Sequence, residues 1–280
     1  MSAVVEQIGP GFWNIRSQFK LLCGMLDIGT HMSVCKLSNG KFLLIDTIKL
    51  TPEVMEALNS LTDFGKNIDS VIATHPYHTL AFRDFYRAFP KIHRGYYGTP
   101  RHLDTIKDIP WAGEVMANKG IWEPDVEMRI PAGCEYILPL PPTSNHFCNV
   151  FVFHKASRTI HNDDCIIVSH DPGFLMRMLG FSEGSMWFHL SMSGPGLNPT
   201  PEAPGEFRDW VLAMCEDWDF VNICTAHNGN SLGNAKQQLL ETLKKAEPTL
   251  KKLEEANRKK EPKKECGSWS NDPNDPPDCG

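Results

Sequence analysis

The chain has 280 residues, room for one large domain or two small ones. Its 28 Lys and Arg stand against 34 Asp and Glu, a net charge of −6 that gives no general pull toward nucleic acid or anionic membrane. Hydrophobic residues make up 41% and charged residues 22%, the balance of a globular chain, and no apolar run nears the ~20 residues of a membrane span. The opening MSAVVEQIGPGFW lacks the basic and long apolar regions of a secretory signal. Nine cysteines, an odd number scattered through apolar segments, read as buried thiols of a reducing compartment. The expectation is a soluble, cytoplasmic protein acting on a small molecule.

In chain order, His31 to Leu37 and Lys41-Phe-Leu-Leu-Ile-Asp46 read as two strands joined across Asn39-Gly40. Thr51-Pro-Glu53 predicts a helix entry, with Val54, Leu58 and Leu61 turned inward. Ser70-Val-Ile-Ala-Thr-His75 is a strand apolar enough to be buried on both faces, followed by a helix over Leu80 to Phe89 and a strand over His93 to Tyr97. This alternation predicts an α/β fold with a mixed sheet and covering helices.

The middle reads as strands over Cys134 to Leu138, His146 to His154 and Arg158 to Val168. A helix is predicted from Gly173 to Leu179, another within Pro201 to Trp218, then a strand over Asp219 to Thr225. The helical pattern from Asn234 to Asn257 is interrupted at Pro248. Residues 1–257 are read as one domain and 258–280 as a disordered tail, charged and then rich in Pro, Asp, Asn and Ser.

Four of the 11 histidines stand at predicted strand ends: His75, His146, His161 and His227. Ligands of α/β proteins collect at strand termini, and imidazoles with a carboxylate from separate strands are a usual way to hold zinc or iron. The order of these elements resembles the metallo-β-lactamase fold superfamily over Leu21 to Leu243. Lys41 to Thr47 is similar to the early strand ending LIDTG, and Val71 to His75 to the strand feeding the Thr-His-x-His-x-Asp-His loop. His146 resembles the later isolated His, Ser157 to Asp164 the strand that delivers the bridging Asp, and Thr225-Ala-His227-Asn-Gly229 the closing GHG element. The closest resemblance is to a divergent branch with a THPxHT loop, here Thr74 to Thr79, and a YGTPRHL segment, here Tyr97 to Leu103.

The resemblance implies an αββα four-layer sandwich, two mixed sheets packed face to face with helices outside. It also implies a metal site, but the loop departs from the family pattern. Tyr77 stands where the second His belongs, Thr79 where the Asp belongs and Leu80 where the third His belongs. A second ion would keep too few protein ligands. His78, three residues after His75 and beyond the bend at Pro76, is the candidate to replace the lost second His. The expected site is therefore mononuclear, with His75, His78, His146, Asp164 and His227 around one zinc or iron ion. Asp164 doubles as the catalytic carboxylate.

The implied activity is metal-dependent hydrolysis of an ester, thioester, lactone or phosphoester. The alternatives are a non-catalytic pseudo-enzyme or binding protein on the same fold, and an iron-dependent redox protein. In a regular strand Asp163 and Asp164 face opposite ways, which makes Asp163 a solvated carboxylate and leaves His161 outside the site. Tyr77, Arg101 and His102 are candidate substrate contacts, the latter two for an anion, although Thr99-Pro100 is also an ordinary helix start. Trp187, Phe188 and His189 lie in a long loop region of the kind that forms pocket walls. Cys266 and Cys279 read as exposed, inert thiols. No phosphate-cradling GxxxxGK[ST], no GxGxxG after a strand and no GxSxG elbow is present, so nucleotide and serine-hydrolase readings lose support.

Overall fold

The structure is a computed structural model and describes residues 3–21, 26–170, 177–178, 182–227 and 229–260. In the N-terminal half, β1 (Val4–Gly9) and β2 (Phe12–Ser17) pair antiparallel, and β3 (Lys20–Leu21) with β4 (Leu26–Asp27) makes a short ribbon. A second hairpin joins β5 (Thr30–Lys36) to β6 (Phe42–Ile45). Its turn is the one Asn39-Gly40 predicts: Gly40 has φ of 82°, open to glycine, and the Asn39 side chain accepts the Lys41 N–H. Then come α1 (Pro52–Thr62), β7 (Ile68–Ile72), α2 (Phe82–Ala88), β8 (Gly95–Gly98), α3 (Pro100–Thr105) and β9 (Trp111–Glu114). Thr51 caps α1 by accepting the Val54 N–H, with Pro52 in the first turn. The sheet order is β1-β2-β5-β6-β7-β8-β9, antiparallel as far as β6 and parallel beyond it.

The second half supplies β10 (Val126–Arg129), β11 (Phe151–His154), β12 (Thr159–Asn162), β13 (Ile166–Val168) and β14 (Met186–Phe188). It ends with α4 (Ala203–Asp217), β15 (Asn222–Thr225), β16 (Asn230–Ser231) and α5 (Ala235–Lys260). The second sheet runs β10-β11-β12-β15-β16, with β12 and β15 parallel; β13 and β14 form a separate pair.

Alternation along the strands builds the layers, because successive side chains leave a strand on opposite faces. Phe42 and Leu44 of β6 pack with Val54 and Leu58 of α1 and Phe82 and Phe85 of α2. Leu43 and Ile45, the intervening residues, enter the space between the sheets and meet Val150, Val152 and Cys224. Phe151 and Phe153 of β11 turn the other way, onto Phe207, Val211 and Met214 of α4 and Leu239 and Leu243 of α5. Three apolar interfaces thus separate four layers, the αββα sandwich expected from the sequence. The described cysteines Cys35, Cys134, Cys148, Cys165, Cys215 and Cys224 are free, and all but Cys134 are buried.

Several elements differ from the sequence reading. Cys134 to Leu138 is not a strand: the Glu135 carboxylate accepts the N–H groups of Ile137 and Leu138 at 2.7 and 3.2 Å, a local turn that replaces ladder bonds. The strand expected from His146 starts only at Phe151, because Val150 N–H bonds Thr74 O, just past the end of β7, at 2.9 Å. α5 runs unbroken through Pro248 to Lys260, past the expected start of the tail, held by Leu239, Leu243 and Leu250 in the core. The helix expected over Gly173 to Leu179, apart from residues 177–178, lies outside the described residues, as do residues 261–280 with Cys266 and Cys279.

The predicted strand from Arg158 to Val168 is broken at its centre. The Asn162 side chain donates to Ile166 O at 2.9 Å and accepts the Ile166 N–H at 3.3 Å, so it stands in for a strand neighbour. Asp163, Asp164 and Cys165 are bridged by this contact and leave the regular alternation.

Candidate metal centre

The site lies where parallel strands end. β7 runs out into Thr74, His75 and the loop to Leu80; β12 breaks at Asp163 and Asp164; β15 is followed by His227. His146 arrives from the segment before β11. Asp164, 3% exposed in its side chain, is the centre. Its Oδ2 lies 3.5 Å from His75 Nε2, 3.2 Å from His78 Nε2 and 3.5 Å from His146 Nδ1. Its Oδ1 lies 3.1 Å from His227 Nε2. One ligand atom from each of His75, His78, His146 and Asp164 lies within 4.8 Å of the others, so all five sequence candidates meet.

The far nitrogens of the rings decide what the near ones can do. His146 Nε2–H donates to Pro142 O at 3.0 Å, and His227 Nδ1–H donates to Gly29 O at 2.7 Å. A carbonyl can only accept, so in the neutral rings His146 Nδ1 and His227 Nε2 carry lone pairs aimed at Asp164. His78 presents Nδ1 to Asp163 Oδ2 at 3.4 Å and Nε2 to Asp164. Asp164 Oδ1 is buried and makes no hydrogen bond, although His227 Nε2 lies within range. A lone pair of His146 at Oδ2 and one of His227 at the unsatisfied Oδ1, with backbone carbonyls holding the outer nitrogens, suit a cation site. His75 fits less well. Its Nδ1 accepts the Tyr77 N–H at 3.1 Å, which keeps its proton on Nε2, so ligation through Nε2 requires that amide to let go.

The electrostatics agree with this crowding. Burial opposes charge on His78, but the carboxylates of Asp163 and Asp164 outweigh it and hold the pKa well above the ordinary value. Burial and the neighbouring His78 push His75 down to about 3. Asp164 is held well below the carboxylate range: burial is overcome by His227 and His78.

Asp163 corrects the sequence reading. It is 1% exposed, and its carboxylate faces a second cluster behind the first. Its Oδ1 takes His31 Nε2–H at 3.4 Å and lies 3.6 Å from His161 Nε2, while Oδ2 accepts Thr74 Oγ1–H at 2.8 Å. His161 also donates to Asp46 Oδ2 at 3.0 Å, and the His31 and His161 rings stack at 4.3 Å. Asp46, in the left-handed region at φ 57°, accepts the Thr74 N–H at 2.9 Å. His161 is therefore part of the buried support of the site, reaching His78 through Asp163. The sequence reading missed this because it assumed a regular strand through the Asn162 bridge.

The candidate substrate contacts divide. Tyr77 is half-buried; its O–H donates to Pro139 O, and its ring lies 5.1 Å from that of His146. Arg101 stacks over the Tyr77 ring at 4.8 Å. His102 is fully buried and cannot touch a substrate. It accepts from Thr99 Oγ1 at 2.9 Å, donates from Nε2 to His78 O at 3.3 Å, and packs edge-on against Phe82 and Trp111. α3 can approach β8 this closely because residue 98 is glycine: a Cβ there would stand 2.6 Å from His102 Cβ. Leu80, at the lost third-His position, is 78% exposed and offers no ligand.

Trp187 and Phe188, read from the sequence as loop, lie in β14, and His189 directly follows that strand. Its N–H bonds Cys165 O at 3.0 Å, beside Asp164, and its Nδ1 accepts the Ser191 N–H at 3.1 Å. That places a proton on Nε2, with burial holding the pKa down.

The comparisons with known proteins come to the same architecture. A metallo-β-lactamase from Erythrobacter litoralis superposes with a TM-score of 0.53 at 13% identity, covering 87% of this chain and 92% of that one. FIM-1 from Pseudomonas aeruginosa, in a mono-zinc form, gives 0.55 at 11% identity, covering 88% and 96%. The enzyme from Hirschia baltica gives 0.52 at 13%, covering 87% and 97%. The chain has the metallo-β-lactamase fold. No protein-family model matches its sequence, and no curated protein is significantly similar. Within this fold the His and Asp groups that could hold a metal lie at the strand ends already described. No helix among the described residues is long and apolar enough to cross a membrane.

Proposed function

We propose that the chain is a metal-dependent hydrolase of an ester, thioester, lactone or phosphoester, with one ion held by His75, His78, His146 and Asp164. The observation that carries this reading is Asp164: a buried carboxylate whose Oδ2 is faced by His75, His78 and His146 and whose unsatisfied Oδ1 is faced by His227, with His146 and His227 fixed by carbonyls to present lone pairs. His227 and Asp164 Oδ1 alone are too few protein ligands for a second tightly held ion, which favours a mononuclear site. Zinc or iron bound there would polarise a carbonyl or phosphoryl oxygen and ease the ionisation of water.

The chain's own groups divide the remaining work. Asp163 holds the Nδ1 proton of His78, which orients that ring toward the site. His227 flanks the other carboxylate oxygen. His189 offers an N–H donor beside Asp164, placed to bond an oxygen of the substrate. Zinc-loaded protein is expected to turn over at least one member of a panel of aryl esters, thioesters, lactones and phosphodiesters. His78→Ala is expected to weaken zinc by at least about tenfold in a chelator competition. Zinc-loaded protein inert across the panel would contradict the hydrolase. Equal zinc affinity in H78A would remove His78 from the ligand set.

One observation favours a second reading, a binding protein on the same fold: the Tyr77 amide occupies His75 in an arrangement that needs no ion. Metal content that stays low when zinc or iron is added would select it.

A further inference from the structure

We infer that the substrate carries an anionic group, a carboxylate or phosphate set apart from the reacting centre, and that Arg101 stacked on Tyr77 is its anchor. This rests on the site proposed above and adds the class of molecule that fills it. The first observation is a cation without a counter-charge. Arg101 is half-buried, its Nε is shielded from solvent and makes no hydrogen bond, and no described carboxylate pairs with it. Nearby, Arg83, Arg87 and Arg94 each pair with an aspartate. A half-buried guanidinium with an unused donor is costly unless something completes it, and its planar fork matches a carboxylate or phosphate.

The second observation is place. The guanidinium carbon lies 4.8 Å from the centre of the Tyr77 ring, and that ring lies 5.1 Å from His146 and 6.0 Å from His75. Arg101 is thus one aromatic ring away from the candidate ligands, too far to disturb them and near enough to hold the other end of a small molecule.

The third observation is rigidity. Tyr77 is pinned by its O–H bond to Pro139 O. α3, which carries Arg101, is tied to the metal-site loop by the next residue: His102 donates to His78 O and accepts from Thr99. The distance between the charge and the site is therefore set by hydrogen bonds on both sides. An anchor of this kind selects substrates by length as well as charge, because the charged group and the reacting bond must fit together.

The test compares wild type with Arg101→Met, which keeps the side chain's bulk, and Arg101→Lys, which keeps the charge but loses the fork. Zinc content and circular dichroism are recorded for each. In the kinetic arm, the substrates are 4-nitrophenyl acetate and mono(4-nitrophenyl) glutarate, alike at the reacting bond and different in a remote carboxylate. The preference for the glutarate ester, as a ratio of kcat/KM, is expected to fall by about tenfold or more in R101M, and less in R101K. In the binding arm, free glutarate and inorganic phosphate are titrated calorimetrically, which separates the two anions and needs no turnover. At least one is expected to bind wild type about tenfold more tightly than R101M. A ratio unchanged in R101M, or equal anion affinities in wild type and R101M, would overturn the anchor. Failure of wild type to take up zinc would instead strike the proposed metal site, and the anion titration would still be readable on that protein.

Discussion

Two clusters of histidine and aspartate lie back to back in this protein, and composition alone does not tell them apart. The outer one has His75, His78, His146, His227 and Asp164; the inner one has His31, His161, Asp46 and Asp163. In the outer cluster the carbonyls of Pro142 and Gly29 take the protons of two rings and leave lone pairs facing a carboxylate. In the inner cluster the order is reversed. Arg16 can only donate to Asn230 Oδ1, so Asn230 Nδ2 donates to Asn14 Oδ1, and Asn14 Nδ2 faces His31 Nδ1 at 3.0 Å. His31 must then carry its proton on Nε2 and give it to Asp163. The inner set satisfies itself with hydrogen bonds, while the outer set leaves lone pairs that could hold a cation. Whether such a cluster is structural or metal-binding is decided by the partner of each ring's second nitrogen.

The largest expected effect breaks the inner cluster. His161→Leu leaves Asp46 and Asp163 buried without their shared donor and should cost about 3–5 kcal/mol of stability, read by denaturant unfolding. Metal uptake by whatever fraction remains folded should persist. Next comes the outer cluster: Asp164→Asn should weaken zinc more than about a hundredfold in a chelator competition, with a much smaller effect on unfolding of the metal-free protein. If H161L abolished zinc uptake while folded, or D164N unfolded the protein, the division between the clusters would be wrong.

A pH test sharpens the same comparison from His102, which belongs to neither. Burial lowers its pKa from 6.5 to about 4, so the unfolded chain binds this proton more readily. The stability that goes with the neutral ring is complete above pH 6.5 and is lost as pH falls toward 4. Between pH 7 and pH 5 this amounts to about 2 kcal/mol. His102→Gln should flatten the unfolding profile over that interval by a comparable amount; an unchanged profile would mean that His102 is not held neutral. The smallest effect concerns the wall: Tyr77→Phe loses the bond to Pro139 O and should cost about 1 kcal/mol, with zinc content unchanged.

Much of the architecture was legible in the sequence because its signals are local. Asn39-Gly40 made the turn, Thr51-Pro52 the helix entry, and the apolar run before Thr74 the central strand. His75, His146 and His227 could be named from predicted strand ends, Asp164 from the family resemblance and His78 as the replacement for the lost loop histidine. The inner cluster was hidden because its cause is not local: the Asn162 side chain copies a strand neighbour and turns Asp163 inward, which no alternation rule expresses. His102 was misassigned for a related reason. An Arg-His pair after a strand looks equally polar in sequence, yet α3 buries His102 fully and Arg101 only in part. His189 could be read only as part of a pocket wall, since its place depends on the pairing of β13 with β14.

The most direct measurement is elemental analysis of protein purified without added metal, before and after zinc or iron is supplied. About one ion per chain is expected, lost in D164N and retained in folded H161L. Fewer than ~0.2 ions per chain, unchanged by added metal, would mean that the converging imidazoles of the outer cluster serve hydrogen bonding alone.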